Sequence, residues 1–463
     1  MNINLKDKLS KLIDKKLQII IDRLHENGAH AYVVGGTVRD LLLNRETVDL
    51  DIEVHDISVE KLKEILAEFG TVDIVGKSFG VLKIFGLDID WSLPRTDLSG
   101  RKPEVTIDPK MGITQALKRR DITINSMAID LKTYELIDPF GGYQDLKNKI
   151  LRATDEKFFT EDPLRFYRVM QFIGRFEMFP DAKLNEICKK MDIKNVSKER
   201  IEAEFEKLIL KSKIPSLGLR WLQEINRLKE ILPELYNCIN IPQNPDWHPE
   251  GDVFEHSMQS LDAAAKLQYN DNEQKLVICF AALCHDLGKA VTTINDEGIW
   301  KSPKHDVAGV PLAGAMLKRI CGKKDIIEKV KILTRYHVEP TSFITNNAKL
   351  SAYKRLAVKL GDVTIEMLYK LLLADKRGRN GKSHVPLENS TKEPDEFLQK
   401  AKEAEVVMHK EQPILLGRDL LDVVKAGPEL GKLVKKAYDI QINKGIKDKT
   451  ELRKRVLQNY LKK

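Results

Sequence analysis

Residues 33–54 read Val-Val-Gly-Gly-Thr-Val-Arg-Asp-Leu-Leu-Leu-Asn-Arg-Glu-Thr-Val-Asp-Leu-Asp-Ile-Glu-Val. Asp49 and Asp51 stand two apart in an apolar, β-branched run. On a strand they share a face, so both can reach one divalent cation. Gly35 and Gly36 let a backbone approach a triphosphate closely, and Arg39 can pair with phosphate oxygens. Asp90, on a later strand, is a candidate third carboxylate, with Asp88 on the same face as its rival. Three carboxylates can hold two magnesium ions, one activating a 3′-hydroxyl and one neutralising a leaving pyrophosphate. That chemistry is metal-dependent nucleotidyl transfer.

Two further segments bear on the same chemistry. Lys118-Arg119-Arg120-Asp121-Ile-Thr-Ile-Asn125 sets a basic pair and a carboxylate at the mouth of an apolar stretch. There Arg120 and Asp121 can meet triphosphate and ribose, and Asn125 is a further candidate contact. Glu161-Asp162-Pro163-Leu164-Arg165-Phe-Tyr-Arg168 is expected to open a helix, with Pro163 in the first turn and Glu161 or Asp162 as cap. Asp162 and Arg165, three apart on one helix face, can offer an acceptor and a donor edge to a base. The competing reading of this segment is a cap plus an intrahelical ion pair.

Downstream, six residues have metal-ligand chemistry: His256, His285, Asp286, His305, His337 and Asp375. His285-Asp286 ends an apolar helix, and a buried adjacent His-Asp needs compensation, which a metal provides. Lys289, close to that pair, is a candidate phosphate contact.

These residues require particular elements to position them. Helical spacing of apolar residues predicts helices over 8–26, 59–69, 161–176, 197–210 and 217–228. Strands are expected at 31–34 and 48–54, and a hairpin at 80–93 around Gly86. Residues 97–112 hold Gly100, Pro103, Pro109 and Gly112 among charges and read as a long mobile loop. After Pro139 the pattern is almost wholly helical. The proline- and asparagine-rich stretch 240–249 reads as a linker, and a lysine-rich helical tail closes the chain. The fold class expected is α+β: a small mixed-sheet head over 1–148, a mostly α-helical neck over 149–239, an all-α domain over 240–385 and a helical tail over 386–463.

The chain has 463 residues, 32% of them charged, and a net charge of +8. A mild basic excess is compatible with a polyanionic partner without proving one. The five cysteines form no C-x-x-C pair and read as buried thiols. The charged start lacks a signal sequence, and no apolar run approaches the ~18 residues that span a bilayer. A cytoplasmic location away from membranes is expected.

Taken together, residues 30–235 resemble the class II tRNA nucleotidyltransferase and bacterial poly(A) polymerase family, with the segments in family order. The resemblance implies that Asp49 and Asp51 bind Mg2+. It implies that Gly36, Arg39 and Arg120 contact the nucleotide. Asp162 and Arg165 would hydrogen-bond the incoming base in place of a nucleic-acid template, and Arg168 would support that site. Asp138-Pro-Phe-Gly-Gly-Tyr-Gln-Asp-Leu-Lys matches the family's connector, and 97–112 its flexible loop. Asn44 replaces a common glycine, and Gln171 stands where many relatives have a third arginine, which bears on nucleotide preference.

The order H…HD…D resembles the HD phosphohydrolase superfamily. It implies one metal on His256, His285, Asp286 and Asp375 and a second completed by His305 and His337, with Ni2+, Mn2+ or Co2+ as candidates. Some bacterial tRNA nucleotidyltransferases carry such a unit, associated with phosphatase and 2′,3′-cyclic phosphodiesterase activity. The activity implied is CCA addition to tRNA from CTP and ATP. An A-adding enzyme or poly(A) polymerase, and an HD phosphohydrolase with an RNA-binding head, stay open.

Overall fold

The computed structural model describes residues 5–45, 50–75, 81–97, 105–389 and 391–461. Seven strands form the first sheet: β1 (His30–Val34), β2 (Leu50–His55), β3 (Val72–Val75), β4 (Val81–Ile84), β5 (Ile89–Ser92), β8 (Ala128–Asp130) and β9 (Leu136–Ile137). Between them, β6 (Arg95–Asp97) and β7 (Val105–Ile107) make a separate antiparallel pair. The order across the main sheet is β3-β4-β5-β2-β1-β8-β9. β2 and β5 run parallel and their other neighbours antiparallel, so the sheet is mixed.

Strand alternation sorts this sheet into two faces. Ile52, Val54, Trp91, Leu82, Ile84, Val33 and Ile129 point into one core with Ile20, Ile21 and Leu24 of helix Lys15–Glu26 and Leu62, Ile65 and Leu66 of helix Val59–Ala67. Each such side chain contributes about 1.5–3 kcal/mol when fully buried. Because that face is committed to the core, Asp51, Glu53 and Asp90 must emerge on the other. There Val34, Leu117 and Ala128 form a small second cluster that anchors helix Ile113–Lys118 beside the carboxylates.

Several local expectations need correction. The helix expected over 8–26 is two, Leu5–Leu9 and Lys15–Glu26, because Asp14 accepts from Leu17 N at 2.7 Å and starts a new helix. The helix expected over 161–176 is also two, Glu156–Glu161 and Leu164–Phe176. Asp162 between them is extended (φ −116°, ψ 104°), as a residue before proline prefers to be. Part of the 97–112 loop is ordered as β7, while 98–104 lie outside the described residues. The helical run after Val253 is interrupted by an exposed hairpin, Ile294–Asp296 with Ile299–Lys301.

The chain divides into two compact units, Met1–Glu204 and Phe205–Lys463. The first holds the mixed sheet and the helices after it. The second is almost entirely helical and ends in its own small core, where Leu415, Leu420, Leu433, Leu452 and Val456 pack helices Pro428–Lys444 and Lys449–Leu461.

Candidate active sites

In the first unit, the parallel register of β2 and β5 sets Asp51 directly opposite Asp90. Both carboxylates therefore leave the sheet side by side, although they lie 39 residues apart in sequence. Asp51 N donates to Thr37 Oγ1 at 3.3 Å, which ties the strand to helix Gly36–Leu42. Lys83 Nζ lies 2.6 Å from Asp90 Oδ1. Asp49, the other expected ligand, lies outside the described residues, as does Val48 of the expected strand.

Glu53, two residues beyond Asp51 on the same face, is a site residue that the sequence reading missed. Period-two spacing from Asp51 was the signal that would have found it. Its Oε2 accepts from Arg120 Nη2 at 3.3 Å, and its Oε1 lies 3.0 Å from His55 Nε2. Burial works against its ionisation, but the His55 hydrogen bond and the Arg120 charge hold it below the usual carboxylate range. Arg120 in turn lies against the glycine loop. A Cβ on Gly35, whose φ is +67°, would fall 2.5 Å from Arg120 Nη1. The glycine admits the guanidinium as well as allowing the turn.

Arg39, expected on the phosphates, is buried and fully engaged. Its Nε and Nη2 donate to Asp40 at 2.9 Å each, and Nη1 donates to Asn125 Oδ1 at 2.6 Å. Gly36 leaves ordinary contact distance, 3.5 Å, to that guanidinium. Asn125 Nδ2 then donates to Asp121 Oδ1 at 3.0 Å, and Arg168 Nε to Asp121 Oδ2 at 2.6 Å. Burial opposes the charge on Asp121. Arg168, Asn125 and Arg165 outweigh it and lower the carboxyl to about 2. Asp121 and Asn125 thus occupy the interior of a polar chain from Asp40 to Arg168.

Asp162 and Arg165 do not share a helix face, because Asp162 precedes the helix. Asp162 Oδ1 accepts from Leu164 N at 3.0 Å, which supports the capping expectation, and Oδ2 accepts from Arg200 at 2.8 Å. Arg165 donates to Phe158 O at 2.5 Å and to Arg119 O at 2.7 Å. Gln171 is fully buried, its Oε1 accepting from Arg175 Nη1 at 3.0 Å.

In the second unit, His256, His285, Asp286, His305, His337 and Asp375 come together from five helices. His285 and His337 cap helices Asn272–Cys284 and Lys324–Tyr336, where backbone carbonyls lack intrahelical partners. Their Nδ1 atoms face Ala282 O at 2.9 Å and Thr334 O at 2.7 Å, and His305 Nδ1 faces Ser302 O at 2.8 Å. Each ring is thereby turned so that Nε2 points inward. Close helix approach completes the cluster, since a Cβ on Gly288 would fall 2.0 Å from His305 O.

The inward atoms sort into two groups around Asp286. His256 Nε2 lies 3.2 Å from His285 Nε2 and 3.1 Å from Asp375 Oδ1. His305 Nε2 lies 3.1 Å from His337 Nε2 and 3.3 Å from Asp286 Oδ1. Asp286 Oδ2 turns the other way, 3.4 Å from His285 Nε2. Where Nδ1 carries the proton, facing Nε2 lone pairs repel at such distances unless a cation sits between them. The donor set of imidazoles and carboxylates therefore fits divalent transition metals. Burial lowers His285 to about 3, while Asp375 and Glu250 hold His256 at about 9 against its burial. Both carboxylates stay well below the usual range despite burial, through Lys289 at Asp286 and Arg379 at Asp375.

The stretch read as a linker contributes to this cluster. Gln243 and His248 approach Lys289 Nζ at 2.8 and 3.4 Å, and Glu250, the residue just past that stretch, has its Oε1 2.9 Å from His248 Nδ1 and 2.6 Å from His256 Nδ1. Lys289 itself is buried and sits 2.7 Å from Asp286 Oδ2. Its ammonium faces the Asp286 carboxylate here. Composition hid this role, since prolines and asparagines mark a turn-rich path without saying what it crosses.

A mixed sheet bearing paired carboxylates and a helical unit bearing a two-lobed histidine cluster define a transferase head joined to an HD domain. Residues 31–152 match the poly A polymerase head domain, 185–238 the probable RNA and SrmB-binding site of polymerase A, and 253–358 the HD domain. The multifunctional CCA protein of Mannheimia succiniciproducens is 32% identical over 363 residues, 76% of this chain and 84% of that one. The chain belongs to this family of HD-bearing tRNA nucleotidyltransferases. Its fold matches solved CCA-adding enzymes. An apo form gives a TM-score of 0.66 at 22% identity, covering 99% of this chain and 100% of that one. A Thermotoga maritima enzyme complexed with tRNA gives 0.62 at 21%, covering 99% and 100%. No helix among the described residues is long and apolar enough to cross a membrane.

Proposed function

We propose that the chain adds C, C and A to the 3′ end of tRNA from CTP and ATP without a nucleic-acid template. The observation that carries this reading is the in-register pair Asp51 and Asp90 beside the Gly35–Arg120 contact. Asp49, Asp51 and Asp90 would hold Mg2+, which supplies activation of the 3′-hydroxyl and neutralises the leaving pyrophosphate. Arg120, oriented by Glu53, would meet the triphosphate across the glycine loop. Asp121 and Asn125 would hold Arg168 and Arg39 in place. Asp162 and Arg165 would read the base, with a base displacing Arg200 from Asp162. The curated relative and the solved neighbours, among them complexes with CTP, ATP and tRNA, support the same substrates.

A second activity in the same chain is favoured by the convergent Nε2 atoms of His256, His285, His305 and His337. The HD unit would hydrolyse phosphoesters at RNA 3′ ends, including 2′,3′-cyclic phosphates. Its metals would supply an activated water and a positive field at the phosphoryl group. The four functional parts would be the head (1–148), the neck (149–239), the HD domain (240–385) and a tail (386–463) that contacts tRNA.

The test is incubation of tRNA lacking its last three nucleotides with CTP alone, ATP alone and both. Two Cs with CTP and a full CCA with both support the reading, whereas a single A or a long A tract overturns it. Asp51→Ala should abolish addition and spare phosphatase activity, and Asp286→Ala should do the reverse.

A further inference from the structure

Phe176 ends helix Leu164–Phe176, and three guanidiniums crowd its ring. The Arg39, Arg45 and Arg175 Cζ atoms lie 4.4, 4.7 and 4.9 Å from its centroid. A ring quadrupole attracts each cation, but it neutralises none of them. Among the described residues, one carboxylate, Asp40, is bonded to the group, and both its oxygens are taken by Arg39.

The other two cations have neutral hydrogen-bond partners among the described residues. Arg175 Nη1 donates to the Gln171 amide oxygen, and Arg45 Nη1 and Nη2 reach Arg175 O at 3.5 Å each. Arg45 is exposed and Arg175 half-buried, so a ligand can reach the pair from solvent. The crowding is unfavourable as it stands. Burial first, then the Arg39 and Arg45 charges, push Arg175 down to about 10, with Asp40 and Glu204 compensating in part. Gln171 matters here, because an arginine in its place would bring a fourth cation, whereas its amide steers Arg175 without adding charge.

We propose that Arg45 and Arg175, backed by Arg39 and the Phe176 ring, form a phosphate-binding subsite within the first unit. The proposal rests on the nucleotidyl-transfer reading above, and two sources could supply the phosphate: the RNA backbone near its 3′ end or the polyphosphate of the incoming nucleotide. Guanidiniums suit either, since both present paired anionic oxygens.

The experiment uses the full chain with Arg45→Ala and Arg175→Gln. Two quantities are read: the Kd for tRNA lacking CCA across a salt series, and the KM for CTP. Loss of an RNA phosphate contact raises Kd several-fold at low salt and flattens the log–log salt slope by about 0.7–0.9 per contact. A several-fold rise in KM with unchanged RNA binding assigns the subsite to the triphosphate. Either shift, alone or together, supports the subsite. Both values staying at wild type in folded variants overturns it. Arg45 is exposed, so Arg45→Ala decides the matter if Arg175→Gln fails to fold. A wild-type chain that adds no nucleotide defeats the transferase reading, and the RNA-binding arm still reports on the subsite.

Discussion

Arg168 Nε donates to Asp121 Oδ2 at 2.6 Å, while the second oxygen of the same carboxylate holds Asn125 and, through it, Arg39. One buried carboxylate therefore links helix Leu164–Phe176 to the glycine-loop helix Gly36–Leu42. Asp121→Ala is expected to cost about 3 kcal/mol, the low end for a broken buried pair, because Arg168 keeps 33% of its side chain exposed. The sign with pH follows from a carboxyl lowered to about 2. Its contribution is complete above about pH 4 and is lost as pH falls through 2. Urea midpoints between pH 6 and pH 2 should fall more steeply for the wild type than for Asp121→Asn. Equal slopes would remove this carboxylate from the account.

Glu53 is expected to act through Arg120. Glu53→Gln removes the charge that holds the guanidinium against Gly35. A displaced phosphate contact lowers kcat/KM for CTP by up to about 100-fold. Tighter nucleotide binding in the variant would contradict the role.

Glu250 orients His256 from behind, its Oε1 lying 2.6 Å from Nδ1. Glu250→Ala is expected to weaken Mn2+ or Ni2+ binding about 10–100-fold by calorimetry while nucleotide addition stays unchanged. Unaltered metal affinity would leave Glu250 with a packing role only.

Asp262 accepts from Ser216 N at 2.9 Å and from Ser216 Oγ at 2.6 Å, yet burial raises its carboxyl to about 7. The folded protein then holds a proton that the unfolded chain releases near pH 4. This contribution is complete below pH 4 and is lost as pH rises through 7. Asp262→Asn keeps an acceptor for Ser216 and is expected to flatten that decline in thermal midpoints between pH 5 and pH 8.

Much of both sites was legible from residue types and spacing alone. Asp49 and Asp51 could be paired because a strand has period two, and Gly35 could be marked because glycine has a special backbone. His285-Asp286 could be marked because an adjacent pair at the end of an apolar helix needs compensation. Local order was read less well wherever a cap interrupted a periodic pattern, as at Asp14 and Asp162.

The order of residues settles the chemistry available: which carboxylates, imidazoles and guanidiniums the chain owns, and which share a face over a few residues. Which of them meet across long separations comes from the three-dimensional packing alone. Parallel pairing of β2 with β5 brought Asp90 to Asp51, and close packing at Gly288 brought His305 to Asp286. The path of residues 240–249 turned an apparent linker into the source of Gln243 and His248, with Glu250 just beyond it. Register and helix packing are set by the whole buried surface at once, and no local pattern encodes them.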